Sequence, residues 1–156
     1  MSLSSPVIKI GITVNEVLGD DTLAANAKTV QHTQFDEVIV PTPATVFSGK
    51  KYALVAGAAT IDLRALRTVG GGSGDGNGMK VKGFYFKNLG ANVMTIVGGA
   101  SNGYLIFGTS GSVQIRPGGS MCIDLQSSAA DVDSTHKIID VSGTLVQEFE
   151  CAVILG

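Results

Sequence analysis

At 156 residues with a formal charge of −2, from 11 basic and 13 acidic side chains, the chain has the length for one domain with a sizeable core and no cationic surplus of the kind that neutralises nucleic-acid phosphates. Charged residues make up 15%, against roughly 25% in an average soluble protein, and the mean hydropathy is +0.32. Part of the surface is therefore expected to lie under partner chains. The apolar runs, such as residues 152–155, are of strand length and fall far short of the about 20 residues of a spanning helix. Residues 1–6 lack the basic start and apolar block of a secretory signal. These features predict no membrane, no nucleic-acid partner and synthesis in a cytoplasm.

Along the chain, Ile8, Ile10, Ile12 and Val14 recur at period two, which predicts a strand over residues 6–18 with one apolar face. Residues 22–29, with Leu23, Ala24, Ala25 and Ala27, are compatible with a helical turn too short to define the fold. Residues 29–40 read as an extended segment ended by Pro41 and Pro43, which cannot donate to a ladder. Residues 45–47 and 51–56 predict two strands around a Ser48-Gly49-Lys50 turn. Over residues 60–66, Ile61, Leu63 and Ala65 alternate with Asp62, Arg64 and Leu66.

Residues 69–79 are dominated by glycine, whose ordering costs conformational entropy, and predict a flexible exposed loop within one sandwich. Beyond it the β-branched and aromatic runs are interrupted every few residues by Gly, Asn, Ser or Pro. That punctuation predicts strands at residues 80–87, 92–97, 104–107, 112–116 and 120–125. After a polar segment, residues 136–141 and 144–155 complete the set, with Leu145, Phe149, Cys151, Val153 and Leu155 on one face and Glu148 and Glu150 on the other. The fold expected is all-β: a single antiparallel β-sandwich over residues 1–156, jelly-roll-like, with about eight to ten strands.

Motifs for chemistry are absent from this pattern. The glycine segment ends in Gly78-Met79 and runs into a strand, whereas a phosphate-binding loop needs Gly-Lys-Ser/Thr before a helix. Asp75 and Asn77 lack the closing glutamate of an EF-hand loop and start no calcium-binding repeat. Asp131, Asp133 and His136 are too few for a closed metal site, and Asp-rich loops serve turn chemistry on their own account. His32 and His136 are far apart in sequence and form no His-x-His pair. Residues 72–74 and 108–111 are not nucleophile elbows. Glu148 and Glu150 share a strand face, as an acid and base pair or as ordinary exposed residues. Phe84, Tyr85, Phe86, Tyr104 and Phe107 fill a core or stack on a sugar, although alternation keeps them off one common platform. Cys122 and Cys151 pair only if their strands are neighbours with suitable Cβ spacing. No catalytic, cofactor-binding or metal-ligating residue is assigned, and the chain is expected not to be an enzyme.

Residues 84–124 carry Lys87-Asn88-Leu89 at a strand end, a Val-Thr-Ile type strand over 92–97, and Ile115-Arg116-Pro117-Gly118-Gly119 before another strand. This pattern resembles small β-sandwich virion proteins of tailed bacteriophages. The resemblance implies a structural role: decorating or cementing a capsid, or building part of a tail or fibre, as a homotrimer or larger symmetric ring. The partners implied are further copies of the chain, the major capsid protein or other virion proteins, and the implied location is the virion. A host-surface or carbohydrate-binding module using Tyr104, and a small β-barrel enzyme, stand as the alternatives. The segments 6–18 and 144–155 are candidates for pairing with another subunit as an added strand.

Overall fold

In residues 148–155 the apolar side chains Phe149, Cys151, Val153 and Leu155 fall on alternate positions, a period that turns one face of a strand inward and the other to solvent. The computed structural model describes residues 8–18, 28–39, 46–68, 71–125 and 130–156, the first two segments by their backbone alone. The strands are β1 (Ile8–Leu18), β2 (Lys28–Ile39), β3 (Val46–Ala53), β4 (Ala58–Asp62), β5 (Leu66–Arg67), β6 (Ser73–Gly74), β7 (Val81–Asn88), β8 (Met94–Gly98), β9 (Ser112–Ile115), β10 (Ser120–Asp124), β11 (Ile138–Ser142) and β12 (Glu148–Leu155). The chain divides into two compact units, Val7–Val40 and Met1–Pro6 with Pro41–Gly156.

In the first unit β1 and β2 form an antiparallel hairpin from Ile8↔Ile39 to Leu18↔Lys28. Gln34 is an extra residue between the pairs Ile12↔Phe35 and Thr13↔Thr33, a bulge that bends and twists the ribbon locally. The helical turn expected over residues 22–29 falls largely outside the described residues, and Lys28 and Thr29 belong to β2.

The second unit holds two four-stranded antiparallel sheets, ordered β10-β7-β12-β3 and β4-β11-β8-β9. Of these eight strands, the first and last lie side by side, and every chain-adjacent pair except β8–β9 is split between the two sheets. That order is the double Greek key of a jelly roll. Phe84, Phe86, Phe149, Val153 and Leu155 from one sheet and Ile61, Met94, Ile96, Ile139 and Val141 from the other form one buried cluster. Phe149 stacks on Tyr52 at 5.2 Å and on Phe86 at 4.8 Å, and such pairs add about 1 kcal/mol each beyond their buried area. The antiparallel all-β fold read from turn spacing is observed, with the sandwich formed by the second unit and β1–β2 in a unit of their own.

Four local readings are corrected. Ser48-Gly49-Lys50 is not a turn: β3 runs through it, paired with β12 from Val46↔Leu155 to Ala53↔Glu148. The continuous partner strand supplies ladder bonds that outweigh a local turn preference. Ala65 does not continue the inward face of Ile61 and Leu63, because β4 ends at Asp62 and a turn closes through Ala65 N–H to the Asp62 carbonyl at 3.0 Å. Residues 104–107 are not a strand but part of a loop in which Tyr104 and Ile106 are buried. Leu145 lies outside β12 and is 70% exposed, at a positive φ of 34°.

Candidate functional site

Strand direction sorts the connections of the jelly roll between its two ends. β3 enters and β12 leaves at one end, together with the long connections 63–80, 99–111 and 125–137. The opposite end carries only short turns: 54–57, 89–93, 116–119 and 143–147. Three of these turns, with their flanking residues, read Ala-Leu-Val-Ala-Gly-Ala (53–58), Leu-Gly-Ala-Asn-Val (89–93) and Ser-Gly-Thr-Leu-Val-Gln (142–147), without a charged residue.

This crown of turns is built around the side chain of Gln147, which is 6% exposed. Its Oε1 accepts from Thr144 N–H at 2.7 Å and its Nε2 donates to the Asn92 carbonyl at 3.0 Å. Asn88, fully buried, donates through Nδ2 to the carbonyls of Asn92 and Ile115 and accepts Gly90 N–H at 2.8 Å. Backbone bonds complete the fastening: Leu54 N–H to the Gln147 carbonyl, Gly57 N–H to the Leu145 carbonyl, and Gly143 N–H to the Gly57 carbonyl. Gly57 has φ +83°, and a Cβ there would stand 2.9 Å from the Gly143 carbonyl oxygen, so no other residue fits without displacing the neighbouring turn.

What the crown presents is apolar. Val55 is 78% exposed, Leu145 70% and Val146 79%, with Val93 and Leu89 about half as much. The turns 89–93 and 143–147, with Glu148 beside them, also line an open cleft of about 470 Å³. Ala56 and Leu145 hold positive φ angles of 51° and 34°, as Asn102 and Ser110 do at the other end with 55° and 66°. Side chains other than glycine pay of order 1 kcal/mol or more for such conformations, which persist where surrounding bonds over-determine them and cluster at functional sites. Covering each of these large apolar side chains would contribute about 1–2 kcal/mol. The sequence signal that could have found the crown is the run of uncharged turns at matching strand ends. The inward placement given to Leu145 concealed it.

At the other end the connections 63–80 and 125–137 carry charged side chains, while 99–111 has none and leaves Leu105 45% exposed. Arg64 pairs with Asp75 at 3.2 Å, Lys80 with Asp131 at 2.9 Å and Lys137 with Asp62 at 3.5 Å. The Arg64 guanidinium, helped by Asn77 N–H, holds the Asp75 carboxyl below its ordinary range. The glycine segment lies here, tied by Thr68 N–H to the Gly72 carbonyl, Gly76 N–H to the Leu63 carbonyl and Gly78 N–H to the Val132 carbonyl.

The residues weighed from the sequence fall as follows. Asp133 accepts from the Thr135 hydroxyl and N–H and from His136, and these bonds hold its carboxyl well below the usual range. Asp131 pairs with Lys80 instead of joining them. Among the described residues no three metal-ligating side chains come together. Glu148 pairs with Lys51 at 2.6 Å on the outer sheet face, and Glu150 lies beside Lys51 and Lys87 in register. His32 lies in β2, opposite Val14.

Cys122 and Cys151 are free thiols. They sit on strands flanking β7, but Cys122 faces solvent and Cys151 the core. Burial pushes the Cys151 thiol up to about 12, while partial burial and Asp124 raise Cys122 less.

Tyr104 is 1% exposed and cannot stack on a sugar. Its hydroxyl donates to the Ala130 carbonyl at 2.8 Å and accepts Val81 N–H at 3.2 Å, and burial raises its phenol so that it stays protonated. Phe84 and Phe86 are core residues, and Phe107 packs against the core. Tyr85 is half-buried beside an outer-face hollow of about 330 Å³ floored by Gly49 and Ala152.

No protein-family model matches the chain, and no curated protein matches it. Among solved structures it is similar to one described as "Bacillus endospore appendages form a novel family of disulfide-linked pili", with a TM-score of 0.38 and 18% identity over 75% of this chain and 92% of that one. The jelly-roll assignment rests on the strand order, not on this likeness. Among the described residues no helix is long and apolar enough to cross a membrane.

Proposed function

We propose that this chain is a non-enzymatic structural protein of a virion that decorates or cements a capsid, and that the crown is the surface through which it joins the assembly. The observation that carries the structural reading is the exposure of Val55, Leu145 and Val146 on turns held rigid by Gln147 and Asn88. An interface core of this kind is apolar, depleted in charge and preorganised, so little ordering entropy opposes association. The virion assignment adds the resemblance of residues 84–124 to phage sandwich proteins. A host-surface carbohydrate-binding module is the second reading, and the hollow beside Tyr85 is the place it would use.

Electron microscopy of the purified chain, alone and mixed with candidate capsids, tests the proposal. Regular occupancy of a shell, or closed rings, is the expected result. Dispersed particles that leave capsids bare, with a monomer mass by light scattering, would contradict it. Glycan binding abolished by Tyr85→Ala would favour the second reading instead.

A further inference from the structure

We infer that the Asn102–Gly103 peptide is a site of self-modification, where the Asn102 side chain loses ammonia and becomes aspartate or isoaspartate. This chemistry is independent of the assembly reading. The Gly103 nitrogen gives up its proton to hydroxide and attacks the side-chain carbonyl carbon of Asn102. A C–N bond forms, the bond to the side-chain nitrogen breaks, and that nitrogen takes a proton and leaves as ammonia. Water then opens the five-membered succinimide ring at either of its carbonyls, so neither an oxidant nor a second protein is required.

The chain contains two Asn-Gly pairs, Asn77-Gly78 and Asn102-Gly103, and both asparagines are exposed. Glycine, with no Cβ, leaves the attacking nitrogen unobstructed in each. The fold separates them. Gly78 N–H donates to the Val132 carbonyl at 2.8 Å, and its nitrogen cannot react until that bond opens. Gly103 N–H donates to no acceptor among the described residues, because the parallel bridge Gly103↔Ile138 uses the flanking Asn102 carbonyl and Tyr104 N–H. That Asn102 carbonyl accepts from Lys137 N–H and Ile138 N–H, both at 2.9 Å. When the Gly103 nitrogen loses its proton, negative charge moves onto this oxygen, where the two donors stabilise it. Among the described residues no donor faces the Asn77 carbonyl.

Asn102 sits at φ 55°, a conformation that asparagine tolerates, and its exposed side-chain amide makes no hydrogen bond among the described residues. A Cβ at Gly103 would collide with the Gly99 carbonyl oxygen, so close packing keeps glycine at the attacking position. In the isoaspartate product the chain is one methylene longer, and the former backbone carbonyl becomes a free carboxylate. Conversion therefore withdraws the acceptor that holds Lys137 and Ile138 at the start of β11.

Peptide mapping by mass spectrometry tests the inference on the full chain, incubated at mildly alkaline pH both folded and in urea. In urea the two Asn-Gly pairs should gain the amide-to-carboxylate mass shift at similar rates. In the folded chain Asn102 should convert at least about tenfold faster than Asn77, the factor set by the hydrogen bond that Gly78 must first break. Converted chains, separated by ion exchange, should have lost amide protection at Lys137 and Ile138. An Asn102→Gly chain, whose new residue suits φ 55°, should no longer accumulate the acidic form. Equal rates at the two sites in the folded chain, or a faster Asn77, overturn the inference. Acidic forms that accumulate undiminished in Asn102→Gly overturn it as well.

Discussion

Each end of the jelly roll is fastened from within by a buried polar side chain, and the two ends differ in what they then show to water. At the charged end the Tyr104 hydroxyl ties the start of β7 to the 125–137 connection, and the connections 63–80 and 125–137 are joined by ion pairs of Arg64 with Asp75, Lys80 with Asp131 and Lys137 with Asp62. At the crown Gln147 and Asn88 tie the turns together, and the side chains above them are left apolar and exposed. Similar internal fastening therefore supports an end with ion-paired loops and an end with apolar turns, the latter being the surface proposed for assembly. Exposed ion pairs contribute little to stability, so the charged end gains solubility more than strength, whereas the apolar crown gains free energy only when covered.

The largest effect on this contrast is expected from Asn88→Ala. The side chain is fully buried, and its loss takes the acceptor from Gly90 N–H and a donor from the carbonyls of Ile115 and Asn92, the latter keeping Gln147 Nε2. Each orphaned buried group costs about 1–3 kcal/mol, so urea unfolding should show a loss of about 3 kcal/mol together with loss of assembly. Gln147→Ala should cost about 2 kcal/mol on the same reasoning and should also reduce assembly, because Leu145 and Val146 lose their fixed geometry.

Tyr104→Phe removes the corresponding fastening at the charged end and should cost about 1–2 kcal/mol with assembly mass unchanged. An equal drop in mass for this variant would erase the distinction between the ends.

A pH titration sharpens the same contrast with a smaller effect. The Asp75 and Asp133 carboxyls are depressed below the ordinary 3.8 by Arg64 and by the Thr135 and His136 donors. Their contribution is therefore fully present above pH 3.8 and is lost as pH falls through their folded-state values. Amide protection factors in residues 71–79 and 131–137 should fall in acid below that point while the crown keeps its protection. The smallest effect is expected from Lys51→Ala, within about 0.5 kcal/mol because the pair with Glu148 is half exposed.

The sandwich was legible because Gly and Asn turn signals in residues 80–125 recur at strand spacing, and because Phe149, Cys151, Val153 and Leu155 keep strict alternation. Local pattern failed where a distant partner decides. Residues 48–50 look like a turn until β12 is laid beside them. Tyr104 and Phe107 look like strand residues, but the phenol bonds to positions 23 and 26 residues away. The crown was the least legible part. Its turns are separated by tens of residues, and Leu145 continues the apolar alternation of β12 in sequence while a positive φ turns it out of the strand. Only the topology brings positions 55, 93 and 146 to one end.

Amide hydrogen exchange followed as a function of protein concentration tests the central claim most directly, since it reads both ends of the same molecule in one experiment. Residues 54–57 and 143–147 should gain protection as concentration rises, while residues 99–111 exchange at a constant rate. Protection that rises equally at both ends, or only in residues 99–111, would contradict the assignment of the crown as the assembly surface.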